Sequence, residues 1–221
     1  EVLAGENWMA LAAIAWSMNW SDTPEDAAPT MAAHGTYVFA IFGTGDMACY
    51  DFDGNLVWGR NLGVPVNHYG HASSLIAFED KVYVQMDDSE QPRLMALDAA
   101  TGEEVWNTGR KKISWASPAC AQTPFGFQLI LASELDVDGY NPQTGALLWT
   151  QEGLDGEVAP SPAISGDVVF VANEYAMATA VRLSAAGEAM ASEIIWQWEE
   201  SLPEVASPTS SDQHFYIATS L

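Results

Sequence analysis

The chain has 221 residues, 48% of them hydrophobic, with thirty Asp and Glu against seven Lys and Arg, a formal net charge of −23. That apolar content suits a sizeable core and rules out a disordered chain, while the negative field repels nucleic-acid phosphates and anionic lipid heads. No stretch reaches the ~18 uninterrupted apolar residues of a membrane span; the best candidate, residues 9–16, is too short.

At the N-terminus no Lys or Arg precedes Arg60, so the basic start of a signal peptide is missing from this sequence. The segment 14–16, "IAW", reads either as the last strand of a preceding repeat unit or as part of an amphipathic helix. Leu3, Met9, Leu11, Ile14 and Met18 are loosely helix-spaced, and so short a run does not choose.

From there a repeat takes over. Tryptophans close four similar segments, 37–58, 82–106, 129–149 and 168–196, so that Trp58, Trp106, Trp149 and Trp196 recur with a period in the forties. A second marker keeps step: "AAPT" at Ala27, "ASS" at Ala72, "ASPA" at Ala116, "APSPA" at Ala159 and "ASPT" at Ala206. A period of this length built from short strands indicates a radial array of small sheets, with four strands to a unit.

The first strand of each unit is made of small residues, where blades converge and side-chain room is least. A turn follows at His34-Gly35, Glu79-Asp80, Ser165-Gly166 and Ser211-Asp212, and then a strongly apolar second strand. The third strand, carrying "ACYD", "MALD", "DGYN" or "AVRL", ends in an Asx turn at Asp51, Asp98 or Asn141. Gly54, Gly102 or Gly145 then supplies the positive φ of a tight hairpin. The fourth unit has a longer excursion, residues 184–192, in place of that turn. The closing tryptophans are expected to dock on the neighbouring unit, each contributing about 3 to 5 kcal/mol relative to alanine.

Cys49 and Cys120 flank no metal-type spacing and read as small buried apolar residues. The run Arg110-Lys111-Lys112 reads as a solvated loop.

The pattern A-x-D-x-x-T-G-x-x-x-W, matched by Ala96, Asp98, Thr101, Gly102 and Trp106, resembles the repeat of the pyrroloquinoline-quinone (PQQ)-like β-propellers. That family includes quinoprotein alcohol dehydrogenases, the outer-membrane-assembly propeller lipoprotein and exported repeat proteins without assigned activity. The resemblance covers residues 28–221. It implies an all-β fold, a β-propeller of four-stranded antiparallel blades, in units 28–71, 72–115, 116–158 and 159–205, with 206–221 opening a fifth. Propellers of the family usually have more blades, so a partial ring is expected after the N-terminal segment 1–27. Its open edges should self-associate or accept a partner chain that completes the propeller.

A quinoprotein dehydrogenase would need a tryptophan floor, calcium ligands, an Asp base, cations for the quinone carboxylates and commonly an adjacent cysteine pair. This chain has no Cys-Cys pair, and its available cations, Arg60, Arg110 and Arg182, sit where the repeat already explains them. "DFDGN" and "DVDG" lack the spaced oxygen ligands of a calcium loop and read as turns. His68 and His71, in a loop, are weak support for a metal pair; His34 and His214 show no metal spacing. No cofactor is expected, with PQQ and calcium entering only if the chain is a fragment of such a dehydrogenase.

The site-like feature is positional. In a propeller the segments leading from a fourth strand to the next first strand gather on one face near the axis. The residues there are Asp26, Tyr69, His71, Trp115, Glu157 and Glu204, an aromatic and acidic rim suited to a cation, a sugar or a peptide. Packing of Trp115 and Tyr69 between blades is the competing reading. The resulting expectation is a non-catalytic, periplasmic or extracellular scaffold for protein or carbohydrate ligands. A dehydrogenase fragment and the sensor domain of a larger chain are the alternatives.

Overall fold

The computed structural model of the chain describes residues 29–67, 70–156, 158–174, 176–186 and 189–219. Sixteen strands fall into four antiparallel sheets, each in chain order. Blade 1 is β1 (Ala32–His34), β2 (Tyr37–Ile41), β3 (Asp46–Asp51) and β4 (Leu56–Asn61). Blade 2 is β5 (Ile76–Phe78), β6 (Lys81–Met86), β7 (Arg93–Asp98) and β8 (Glu104–Gly109). Blade 3 is β9 (Ala119–Thr123), β10 (Gly126–Ala132), β11 (Asp136–Tyr140) and β12 (Leu147–Glu152). Blade 4 is β13 (Ala163–Ser165), β14 (Val168–Val171), β15 (Ala178–Ala186) and β16 (Ala189–Trp198). A two-stranded pair, β17 (Thr209–Ser210) and β18 (Phe215–Tyr216), opens a fifth. The fold is therefore a partial β-propeller, and the N-terminal segment 1–27 lies outside the described residues.

Each second strand is apolar at nearly every position because a blade is covered on both faces. In β6 every residue is buried. Val82 and Val84 join Phe39, Ile41, Met47 and Trp58 of blade 1, while Tyr83, one pleat away, joins Leu129, Leu131 and Tyr140 of blade 3. The seam between blades 3 and 4 repeats this with Ile130, Val137 and Trp149 against Val169, Val171 and Val181. Leu202, Phe215 and Ile217 cover Phe170 and Ala180 beyond blade 4.

The turn chemistry follows the sequence. Asp51 Oδ1 accepts from the amides of Asp53 and Asn55 at 3.0 and 2.8 Å, Asp98 Oδ1 from Ala100 and Thr101 at 3.0 and 2.8 Å, and Asn141 Oδ1 from Gln143 and Thr144 at 2.8 and 3.2 Å. Gly102 and Gly145 take φ of 71° and 70°, which L side chains resist.

A device invisible in the repeat pattern aims the tryptophans. Opposite each one across the third and fourth strands stands a small residue, Cys49, Ala96, Gly139 or Ala180. Beside it the register slips by one residue, a β-bulge in all four blades. In three blades the ring also meets an aromatic of the second strand, Phe39, Tyr83 or Phe170, with centroids 6.0, 6.0 and 6.1 Å apart. Trp58 Nε1 then donates to Ala99 O of blade 2 at 2.9 Å, and Trp106 Nε1 to Pro142 O of blade 3 at 3.0 Å. Each indole lies on the glycine of the next blade's turn. A Cβ on Gly102 would sit 2.7 Å from Trp58 Cδ2, and one on Gly145 2.5 Å from Trp106 Cε3.

The alanine and serine marker does more than save space. The amide of Thr30 donates to Ser74 Oγ at 3.0 Å, that of Ser74 to Ser117 Oγ at 2.9 Å, that of Ser117 to Ser161 Oγ at 2.9 Å, and that of Ser161 to Ser207 Oγ at 3.0 Å. One hydroxyl per unit thus satisfies a backbone donor of the unit before, stitching all five units along their inner edges.

The longer excursion 184–192 is strand on both sides: β15 reaches Ala186 and β16 begins at Ala189, with Leu183 opposite Ser192 and Ser184 opposite Ala191. Two sequence expectations need correction. "DVDG" is not a turn but most of buried strand β11. Cys49 is buried, its thiol pushed up to about 12 by burial and then by Asp51, but Cys120 is exposed on β9, an inner strand with no further strand beyond it.

Candidate binding face

The connections from fourth to first strands, residues 62–75, 110–118 and 153–162, are each held by the β2–β3-type turns of two successive blades. The first takes Leu62 N to Gly45 O at 2.9 Å and His71 N to Gly43 O at 3.1 Å in blade 1. It also takes Ser89 N to Val66 O at 2.8 Å and Asn67 Nδ2 to Asp87 O at 3.0 Å in blade 2. The second receives Glu134 N at Ile113 O at 3.1 Å, and the third receives Asn173 Nδ2 at Asp155 O at 2.7 Å. Backbone that would otherwise be loose is tied at both ends.

Trp115 links three of these connections. Its Nε1 donates to Asn67 Oδ1 of the preceding one at 3.0 Å, and its backbone N donates to Val158 O of the following one at 2.8 Å. The ring is half-buried, so packing and partial exposure coexist at this position.

Around Ser114 and Ala116, which flank Trp115 in the chain, lies a polar cluster that sequence reasoning missed. Arg110, expected in a solvated loop, is buried: its Nη1 meets Asp87 Oδ1 at 2.5 Å and its Nη2 donates to Ala132 O of blade 3 at 3.2 Å. Gln85 Nε2 donates to Asp87 Oδ2 at 2.5 Å and reaches Ser114 Oγ and Ala116 O at 2.9 and 3.0 Å, while Ser73 Oγ donates to Ala116 O at 2.7 Å. Burial pushes the Asp87 carboxyl up, and the Arg110 guanidinium and the Gln85 amide pull against it. Lys111 and Lys112 do reach solvent, but pair with Asp136 at 3.3 Å and Glu134 at 3.2 Å. A charge run in a loop gives no local sign of a partner 23 positions away, so only the fold reveals it.

Of the expected rim, Asp26, Tyr69 and Glu157 lie outside the described residues. Glu204 is exposed. His71 is buried rather than open to ligand, with Nε2 2.8 Å from Ser73 O, and burial pushes it down to about 4, a neutral ring at ordinary pH. Through Asn67, the His71 segment and Trp115 are brought to one face. Among the described residues no group of three or more His, Cys, Asp or Glu is placed to hold a metal, and no helix is long and apolar enough to cross a membrane.

Repeated four-stranded blades, each closed by a tryptophan and stitched to the next by a marker serine, define a propeller of PQQ-like repeats. The family model described as outer membrane protein assembly factor BamB matches residues 12–220. The chain belongs to that family. Among solved structures it is similar to BamB from Moraxella catarrhalis, with a TM-score of 0.62 at 18% identity, covering 84% of this chain and 56% of that one. It is also similar to the computationally designed Ika4 protein, with a TM-score of 0.52 at 15% identity, covering 80% of this chain and 96% of that one. Quinohemoprotein alcohol dehydrogenase from Comamonas testosteroni aligns at a TM-score of 0.47 and 20% identity, covering 59% of this chain and 22% of that one. The chain thus spans little more than half the length of the Moraxella protein, and at these identities the likeness is one of fold. None of the curated proteins matches the chain.

Proposed function

We propose that the chain is an exported, non-catalytic propeller that binds a polypeptide partner on the face centred on Trp115, as a scaffold in outer-membrane protein assembly. The observation that carries this reading is the hydrogen bonding of Trp115 to two neighbouring connections, which presents a half-exposed indole on a preformed surface, at little ordering cost to a ligand. Membership in a family described as an assembly factor supports the partner class and an extracytoplasmic location. The groups that quinone chemistry would require are engaged elsewhere. Arg110 is held by Asp87, Arg60 donates to Gly102 O, Arg182 lies 3.7 Å from Asp167, and Asp51 is spent on turn donors. That engagement supports the reading without a quinone or calcium.

Complementation tests the proposal. Deleting the gene in its host should lower the yield of folded outer-membrane barrels, and the wild-type gene should restore it. Trp115→Ala should fail to restore it while the purified variant keeps a cooperative melt. Full complementation by Trp115→Ala would overturn the role of the face, and dye-linked alcohol oxidation by the protein given PQQ and calcium would overturn the non-catalytic reading.

A further inference from the structure

The joint between blades 2 and 3 buries more carboxylate than cation. Asp87, Asp136 and Asp138 are only 4%, 2% and 4% exposed. Two cations face them. Arg110 is engaged by Asp87 and Ala132 O and also meets the Tyr140 hydroxyl, and Lys111, its side chain 59% exposed, reaches Asp136 from the solvent side. Lys112 turns to Glu134. Among the described residues Glu152 on β12, exposed and in register with Asp136, adds a further negative charge. From β10, Leu131, the residue in register with Asp138, brings no charge.

Asp138 therefore has hydroxyls for partners: Tyr140 donates to Oδ2 at 3.1 Å, and Thr150 donates to Oδ1. Among the described residues no Lys or Arg forms an ion pair with it. A buried carboxylate lacking a paired cation costs several kcal/mol, and a proton is the smallest counter-charge that removes the cost.

We infer that Asp138 is a proton-binding site built into this joint: with its carboxyl neutral, two buried carboxylates balance two cations, and blades 2 and 3 hold together more tightly than with it ionised. Burial is the main force pushing the carboxyl up, and the Asp136 charge adds to it. The Thr150 and Tyr140 hydroxyls and Arg110 oppose them. For an acid raised in this way the folded state binds the proton better than the unfolded chain. Stability is therefore gained as pH falls through the folded-state value and is complete below the ordinary 3.8. Arg110 and Lys111 open the connection that carries Trp115, but the inference does not depend on the candidate face binding anything.

The test is a carbon-13 NMR titration of the aspartate side-chain carboxyls in the whole chain, with the Asp138 resonance assigned by its loss in Asp138→Asn. Its midpoint should lie above those of the exposed aspartates. A midpoint at or below theirs overturns the inference. In parallel, the Tm of Asp138→Asn should exceed that of the wild type at pH 8, and the difference should shrink or reverse at pH 5. The acid response of His71, present in both proteins, cancels. A difference independent of pH also overturns the inference, and if the variant does not fold, a resonance that moves over the pH range in the wild type alone, read against the chemical-shift range of aspartate, decides it.

Discussion

The joints between blades 1 and 2 and between blades 2 and 3 are built one way, and the joint between blades 3 and 4 another. In the first two, the tryptophan of the earlier blade lies on a turn glycine of the later blade and donates to a carbonyl three residues before it. The residue two beyond the tryptophan also grips the turn: Arg60 donates to Gly102 O, and Thr108 Oγ1 donates to Gly145 O at 2.9 Å. Blade 4 has no such turn. Its β15–β16 hairpin runs on instead, placing Met190 in the seam core, and Ser192 Oγ donates to Thr150 O at 3.1 Å. Trp149 settles on Gly139 of its own blade, its Nε1 donating to Gln128 Oε1 at 2.8 Å. What an indole clasp needs is a patch of backbone without a Cβ, and either blade can supply it.

The comparison can be broken first at the tryptophans. Trp58 is 9% exposed and Trp196 is 47% exposed. Trp58→Ala should cost about 4 kcal/mol in urea unfolding, and Trp196→Ala about 1 kcal/mol, because only the first leaves a cavity between complete blades. Equal costs would show that the seam is not what the ring stabilises.

Next comes Gly139. A Cβ there would overlap the Trp149 ring, so Gly139→Ala should cost about 3 kcal/mol, lowering Tm by roughly 10 °C. A neutral outcome would mean that Trp149 has another place to go.

Acid acts on a third point. Because His71 folds neutral at about 4 against 6.5 for the free side chain, its contribution is intact above pH 6.5 and is lost as pH falls towards 4, about 3 kcal/mol in all. Replacing it with Gln should flatten that part of the stability profile. The smallest effect belongs to the inner stitching: Ser117→Ala removes one acceptor for the Ser74 amide and should cost about 1 kcal/mol.

Much of this was legible from residues alone, because short-range chemistry writes itself in register. The period of the tryptophans, the Asx turns at Asp51, Asp98 and Asn141, and the apolar second strands were all readable, since each depends on neighbours a few positions away. What escaped depends on distant partners. Gly139, shared by a turn reading of "DVDG" and a strand reading of "DGYN", carries no sign in the sequence of the ring that lies on it. The marker serines read as small rather than as acceptors for the preceding unit. Arg110 read as solvated because its carboxylate lies in another turn. For the candidate face, Trp115 was picked out by its position, while Asn67, which accepts from its indole, carried no signal beyond belonging to the same connection as His71.

The most direct test of the central claim, that a tryptophan of one blade is seated on a turn glycine of the next, is a double-mutant cycle on Trp58 and Gly102. The three atoms nearest a Cβ on Gly102 all belong to the Trp58 ring. Gly102→Ala should cost about 3 kcal/mol in the wild type but only about 1 kcal/mol, the strain of its positive φ, in Trp58→Ala, a coupling of about 2 kcal/mol. Costs that add to within about 0.5 kcal/mol would contradict it.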